Sequence, residues 1–532
     1  MWRGHLVFLL SLLVVVAPFV VAIPERLHKN DLWHDEGWVA NMIAAPTTRE
    51  MILYESHSRI VPPLFLIIER WITQICGYSD LSLRLFPAFA HLATALLVAY
   101  LILRVTVSRA AALVALTLLL YGPGALRYAF QVKHYTTDCL VSAALLIIVH
   151  YVFSAVRRGK VKTATWYALL VLPLPLLSFV SSLSLACSIA ALLLGYLFTR
   201  QRAAIPPLVV IALSVLLFIL YDRYVVKPSV QSLFTYWSAY FPIRPTLWGT
   251  VVRLFELLAE VVRSMLPATM FSCVVVLSCV VAIRGMYHLF RDDSYYAVFV
   301  TSALVAPIGA SLFKMYPLGP RLLLFAYPFW VFLVAYGAKP TRSNIGPSWA
   351  TLRVSEGQRA STRHRLAGLT RKGDVWTFFG VLVACMYFTP YLLVICKPVV
   401  SPRQGSAFAF SRAVREVFLP AYDPSDEVVV YYGAAFLFKH YTNDVRIPRL
   451  ALVGHYRFRS PERNVLLFEK ELRRLNRKHK TPFRLWSVWD HGYRGEIGEM
   501  KELIERRCNL LKITTLPNGH GRKHVSGYRC RP

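Results

Sequence analysis

The sequence predicts a polytopic α-helical membrane protein with about 11 transmembrane helices and a small C-terminal α/β domain on the extracytoplasmic side. Three observations predict it. Of 532 residues, 56% are hydrophobic and 17% charged, with a mean hydropathy of +0.46, which is too apolar for a water-soluble globule. Uncharged runs long enough to cross a bilayer recur along the chain. After about residue 400 the pattern changes to short segments of alternating strand and helix period.

The apolar runs fall at 5–22, 85–103, 110–123, 138–155, 164–180, 183–198, 205–221, 267–283, 294–312, 321–338 and 375–395. An untilted helix needs roughly 20 residues to span, so 110–123 and 183–198 must tilt, break or extend into their flanks. The first run, "LVFLLSLLVVVAPFVVAI", follows a basic start and has the apolar core of a signal peptide. Its length, and the lack of a small-x-small cleavage site before Glu25, favour an uncleaved span.

A net charge of +31 would suggest nucleic acid in a soluble protein, but its placement here explains it otherwise. Lys and Arg fill every second connection: Arg104 and Arg109; Arg157, Arg158, Lys160 and Lys162; Arg200 and Arg202; Arg284 and Arg291. The connection 339–374 adds Lys339, Arg342, Arg353, Arg359, Arg363, Arg365, Arg371 and Lys372. These connections are cytoplasmic by the positive-inside rule, with the N-terminus inside and the C-terminal segment outside. The first outer loop, 24–83, carries eight acids against five Lys or Arg. The long basic loop suits anionic headgroups.

Two domains are expected: a transmembrane domain, 1–396, and an extracytoplasmic domain, 397–532. In the latter, "DEVVVYYG" and "FRLWSVWDH" read as strands, and "NVLLFEKELRRLNRKH" and "GEIGEMKELIERRCNLL" as helices. No glycine-rich phosphate loop of dinucleotide or P-loop type is present. Seven of nine cysteines lie in or beside apolar segments; Cys508 and Cys530 fall in the tail, where an oxidising compartment permits a disulfide. No Cys/His metal spacing occurs.

The candidate chemistry lies in the outer connections. "HDEGWVANMI" places Asp35 and Glu36 at the start of an amphipathic stretch, where Asp35 is either a helix cap worth about 1 kcal/mol or a working carboxylate. "PLFLIIERWITQI" is a second such stretch, and Trp33, Trp38 and Trp71 suit the headgroup level. Other outer segments supply Arg127, Lys133, His134, Tyr135 and Asp138; Tyr236, Trp237 and Arg244; and Lys314, Tyr316 and Arg321. Any one of these cations could simply snorkel to the interface. Together with the carboxylate pair they suggest an outward cavity for an anionic lipid headgroup. Sugar transfer from a polyprenyl phosphate needs these parts: a carboxylate to take the acceptor's proton, and cations to receive charge on the departing phosphate.

"DLWHDEGWVANMI", "RIVPPLFLIIERW" and "GYSDLSLRLFP" resemble the first outer loop of the GT-C glycosyltransferases that include protein O-mannosyltransferases and lipid A aminoarabinose transferases. "FQVKHYTTDCLVSAALL", "YPLGPRLLLFAYP" and "DEVVVYYGAAFLFKHY" are similar to later segments of bacterial members. The resemblance implies a multispan GT-C fold, a polyprenyl-phosphate sugar donor, and inversion at the anomeric carbon. It makes Asp35 the catalytic base, with Glu36 in support or sharing the role. Arg127, Lys133, Arg321 and Arg59 become donor-phosphate contacts, and His57, Tyr135, Tyr316 and Trp237 substrate contacts. Aminoarabinose transferases carry a Lys just before the Pro pair of this loop, where this chain has Val61 and where His57 or Arg59 could substitute. Some relatives use a divalent metal, but no ligand set stands out here. The implied partners are the lipid-linked sugar, a glycan, lipid or protein acceptor, and membrane lipids, with no nucleic acid. The alternative class is a transporter or flippase for a lipid-linked saccharide. It would be expected to place charged or Gly/Pro-broken sites at mid-membrane depth, whereas the ionisable residues here gather at span ends.

Overall fold

The computed structural model describes residues 2–28, 32–52, 61–223, 237–265, 271–339, 410–411, 413–431, 434–442, 445–453, 461–489, 496–506, 508–515 and 524–531. The expected span 375–395 and nearly all of the basic loop 339–374 lie outside the described residues. Two compact units divide the chain. One comprises Met1–Ile23, Ile60–Ile68 and Arg84–Lys397; the other comprises Pro24–Arg59, Glu69–Leu83 and Pro398–Pro532.

The first unit is helical. Among the described residues, six helices are long and apolar enough to cross a membrane: α1 (Trp2–His28, through Leu6–Ile23), α5 (Ser82–Thr106), α8 (Tyr135–Arg157), α11 (Ser181–Thr199), α12 (Ile205–Tyr221, counted from Arg202) and α15 (Ser294–Leu312). The chain is a multi-pass membrane protein. A seventh span arises if α6 (Arg109–Tyr121) and α7 (Pro123–Ala129), bent by 58°, count as one.

The bend has a local cause. Ser108 caps α6 by accepting the Ala111 amide proton at 3.2 Å, and Gly122-Pro123 ends the helix, because Pro123 brings no amide donor and restricts the residue before it. The short run 110–123 is therefore a broken segment. The run 164–180 is interrupted too: α9 (Val161–Leu169) stops before Pro173, and α10 (Leu174–Leu177) is a single turn. The run 183–198 gains its length from its flanks, as the 19-residue α11.

One end of this unit is closed by ion pairs and tight backbone packing. Arg157, at the end of α8, meets Asp293 at 2.7 Å, and Asp293 also caps α15 through the Tyr296 amide. Lys339 pairs with Asp292, which also accepts the Tyr336 hydroxyl proton at 2.6 Å. Helices α14 (Phe271–Asp292) and α16 (Tyr327–Gly337) cross here at glycines: a Cβ on Gly285 would stand 2.0 Å from the Leu333 carbonyl oxygen, and one on Gly337 2.0 Å from that of Val281. Only glycine admits such an approach. The rise of α8 puts its first residue about 34 Å from this end.

The C-terminal part of the second unit is a five-stranded mixed sheet in the order β2-β1-β3-β5-β4. Strands β1 (Glu427–Tyr431), β2 (Leu450–Val453) and β3 (Phe483–Trp489) run parallel, and β4 (Cys508–Thr515) and β5 (His524–Cys530) are antiparallel to their neighbours. Helix α18 (Pro461–Lys478) buries Phe468, Leu472 and Leu475 with Val429, Tyr431, Leu485 and Trp489. That three-to-four spacing is the amphipathic period of the sequence. Helix α19 (Glu496–Glu505) stops earlier than the sequence suggests, and "CNLL" opens β4 instead. Cys508 stands opposite Cys530 in the ladder and the two form a disulfide, so strand pairing overrides the local helix propensity.

Candidate active site

In the helical unit, polar side chains gather where α7 turns into α8. Arg127 is exposed on the last turn of α7, Lys133 is buried in the turn, and His134 precedes α8. Two further loops are joined by the Leu318 amide donating to the Tyr240 carbonyl at 2.9 Å. One carries Trp237; the other carries Lys314, whose left-handed φ of 54° marks the sharp turn out of α15, then Tyr316 and Arg321. The Arg321 guanidinium stacks over the Trp237 ring, 4.7 Å from its centroid. Such stacking holds a cation in place while leaving donors for an anion.

The electrostatics show which groups converge. The His134 imidazole is pushed down to about 3, first by burial and then by the charges of Lys133 and Arg321. Arg127 and Arg321 both act on the neighbouring Tyr128 ring, and Arg127 lies 6.0 Å from its centroid. The Tyr316 phenol is held well above its usual value by burial, then by Asp138 and Tyr135, and its hydroxyl donates to the Leu322 carbonyl at 2.6 Å. Arg127, Lys133, Tyr135, Tyr316, Trp237 and Arg321, scattered over nearly 200 positions, thus belong to one neighbourhood. It is rich in positive charge, and its histidine is neutral at ordinary pH.

Around this group sit buried polar atoms without a hydrogen-bond partner: His134 Nδ1, Thr136 Oγ1, Thr137 Oγ1, Asp138 Oδ1 and Ser178 Oγ. His134 Nε2 lies 3.9 Å from Asp138 Oδ2. Ser178 faces Asp138 without reaching hydrogen-bond geometry. Each such atom costs about 1–3 kcal/mol if it stays dry. Several together mark a place that water or a polar ligand completes. Ser178, Thr136 and Thr137 were not singled out in the sequence. The visible signal was the serine-rich stretch "SFVSSLS" inside an apolar run, where hydroxyls have no solvent to meet.

In the second unit, helix α2 (His34–Ile43) carries the carboxylate pair. Glu36, 3% exposed, accepts the Trp33 amide proton at 2.7 Å and so performs the capping that the sequence left open for Asp35. Asp35 is half-buried on the same first turn. His57 and Arg59 lie outside the described residues. No group of three His, Cys, Asp or Glu among the described residues could hold a metal ion, so no metal-dependent step is built on them.

No protein-family profile and no curated protein matches the sequence. Among solved structures, the chain is similar to ArnT from Cupriavidus metallidurans bound to undecaprenyl phosphate, at 14% identity and a TM-score of 0.53, over 97% of each chain. The apo state of that protein matches at 15% identity, with the same TM-score and coverage. The chain has the ArnT fold. A third similarity, to the Archaeoglobus fulgidus oligosaccharyltransferase, has 12% identity and a TM-score of 0.33 over 94% of this chain and 69% of that one, too low to bear on the fold. The ArnT likeness runs through the helical body and the C-terminal sheet alike, so the multispan architecture implied by the sequence resemblance is the one found.

Proposed function

We propose that the chain is a membrane glycosyltransferase that moves a sugar from a polyprenyl-phosphate donor to a hydroxyl of an envelope glycan, lipid or protein at the outer face of the cytoplasmic membrane. The carrying observation is the convergence of Lys133 and Arg321 on a neutral His134, among buried polar atoms that lack partners. The ArnT fold supports the donor class, since the crystallised relative holds undecaprenyl phosphate.

In the proposed step, the acceptor oxygen attacks the anomeric carbon from the face opposite the phosphate, and the bond from that carbon to the phosphate oxygen breaks. The electron pair leaves with the polyprenyl phosphate, and the configuration inverts. Asp35 takes the acceptor proton as general base. Glu36 supports it by fixing the first turn of α2 through Trp33. Arg127, Lys133 and Arg321, with Arg59, stabilise the growing phosphate charge through charge-assisted hydrogen bonds. Tyr135, Tyr316, Trp237 and His57 position the sugar and the first isoprene units.

The same reading assigns the cytoplasmic side to the N-terminus and the ion-paired end of the helical unit, and the extracytoplasmic side to the domain 397–532. Positive-inside charge supports the first assignment. The Cys508–Cys530 disulfide supports the second, because disulfides persist outside the cytosol.

The test is a mass-spectrometric comparison of envelope glycans between a strain lacking this chain and its parent. A missing hexose, pentose or uronic acid on one acceptor is the expected result, and it names sugar and acceptor together. Identical glycans in both strains would overturn the proposal.

A further inference from the structure

Within the second unit, the helix that carries the carboxylates is held by a histidine from the C-terminal segment. Helix α17 (Ala435–Tyr441) packs on α2. Gly37 makes the fit close, because a Cβ there would stand 2.9 Å from Leu437 Cδ2. At the end of α17, buried His440 bridges two residues of the segment before α5: Nε2 lies 2.8 Å from Asp80 Oδ1, and Nδ1 lies 3.2 Å from the Tyr78 hydroxyl.

Tyr78 donates its own proton to the Ala40 carbonyl on α2 at 2.8 Å. The next residue, Tyr441, accepts the Leu32 amide proton at 2.9 Å just ahead of α2, and its hydroxyl lies 3.5 Å from Asp80 Oδ2. Helix α2 is therefore gripped by one hydroxyl before its first turn and by another in its second. Asp35 sits between the two grips. Both hydroxyls converge on the His440–Asp80 pair, and the Arg415 guanidinium closes over the Tyr441 ring at 5.1 Å. A ten-residue helix has little stability of its own. Its position and rotation, and with them the direction of the Asp35 carboxylate, are set by these contacts.

We propose that His440 is a positioning residue: through Tyr78, Asp80 and the adjacent Tyr441 it fixes α2 in the orientation that aims Asp35 at the acceptor hydroxyl. The role of the C-terminal segment is then to hold the base-bearing helix. The clamp stands on geometry alone; its effect on turnover rests on the glycosyl-transfer reading.

The experiment uses the full chain with His440→Ala, His440→Gln, Tyr78→Phe and Asp35→Asn, and three readouts: amide hydrogen exchange, binding of undecaprenyl phosphate, and the glycan product in cells. Tyr78→Phe removes one oxygen from a partly exposed ring and keeps the test alive if His440→Ala fails to fold. Both variants are expected to speed exchange across 32–44 by tenfold or more, with the amides of β1, β3 and β5 unchanged. Undecaprenyl phosphate binding should stay within about twofold, while product falls on the order of 10- to 100-fold, the scale of a misplaced catalytic group. His440→Gln, which keeps a donor for Asp80, should recover part of both losses.

Unchanged exchange over 32–44 would overturn the clamp, as would equal loosening of the sheet, which would make His440 a general stabiliser. Faster exchange with full product would overturn the positioning role. Should Asp35→Asn itself leave the product intact, the glycosyl-transfer reading fails, and the exchange data still decide the clamp.

Discussion

The two ends of the helical unit solve opposite problems. At the end holding Arg157, Asp292, Asp293 and Lys339, charges meet opposite charges, helix caps are filled, and two glycines let α14 and α16 touch backbone to backbone. At the end holding Lys133, His134, Asp138 and Arg321, burial and then two neighbouring cations hold a histidine neutral, and five buried polar atoms lack partners. The first end is built to be stable as it stands. The second is built to be completed. A protein that left such groups dry would lose stability without return, so the contrast distinguishes the end proposed to bind the phosphate better than charge alone, because both ends are basic.

The contrast breaks most sharply through the cations. Lys133→Ala combined with Arg321→Ala removes two charge-assisted contacts worth about 1.5–3 kcal/mol each. Undecaprenyl phosphate binding to the purified full chain, measured by competition with a labelled lipid, should weaken by about 10²- to 10⁴-fold while the variant stays folded and inserted. Retention of binding would place the phosphate elsewhere.

The complementary variant, Gly285→Val, forces side-chain carbon into the backbone of α16 at the closed end. It should cost about 3 kcal/mol or more, read as a lower melting temperature in detergent. Undecaprenyl phosphate affinity of the folded fraction should be unchanged.

The smallest expected effect concerns pH. His134 has a folded value of about 3 against an ordinary 6.5, so between these values the unfolded chain takes up a proton that the folded chain refuses. Stability therefore falls as pH drops through that window. His134→Gln should flatten the melting-temperature profile between pH 6.5 and 4. An unchanged slope would mean that His134 is not held neutral.

Six spans among the described residues were legible because apolar runs of bilayer length have few other uses, whereas the runs 110–123 and 164–180 are broken near prolines; the tail was legible where period and burial agree, as in β1, β3 and α18. Strands β2 and β5 were not: β2 is a four-residue edge, and "HVSGYRC" in β5 carries no period-2 hydrophobic pattern. The end of α19 was misplaced because Glu, Lys and Leu favour helix locally, whereas Cys508 is claimed by its partner across the ladder. In the site, cations at span ends were visible as residues, and their grouping needed the folded chain. Ser178 faces Asp138, and His440 meets Tyr78 and Asp80, neighbours distant in sequence that one sequence cannot reveal. Whether Asp35 caps its helix was open at that level; in the fold Trp33 is the N-cap residue and the Glu36 carboxylate takes its amide proton.

The central claim is that Asp35 performs the proton transfer while the helical unit binds the lipid phosphate. The most direct measurement takes parent and Asp35→Asn through the same two assays, undecaprenyl phosphate binding and glycan product formation. The account predicts affinities within about twofold and product formation lowered by about 10²- to 10⁴-fold, the usual contribution of a general base. Product formation at the parent's rate, with the variant folded and inserted, would contradict it.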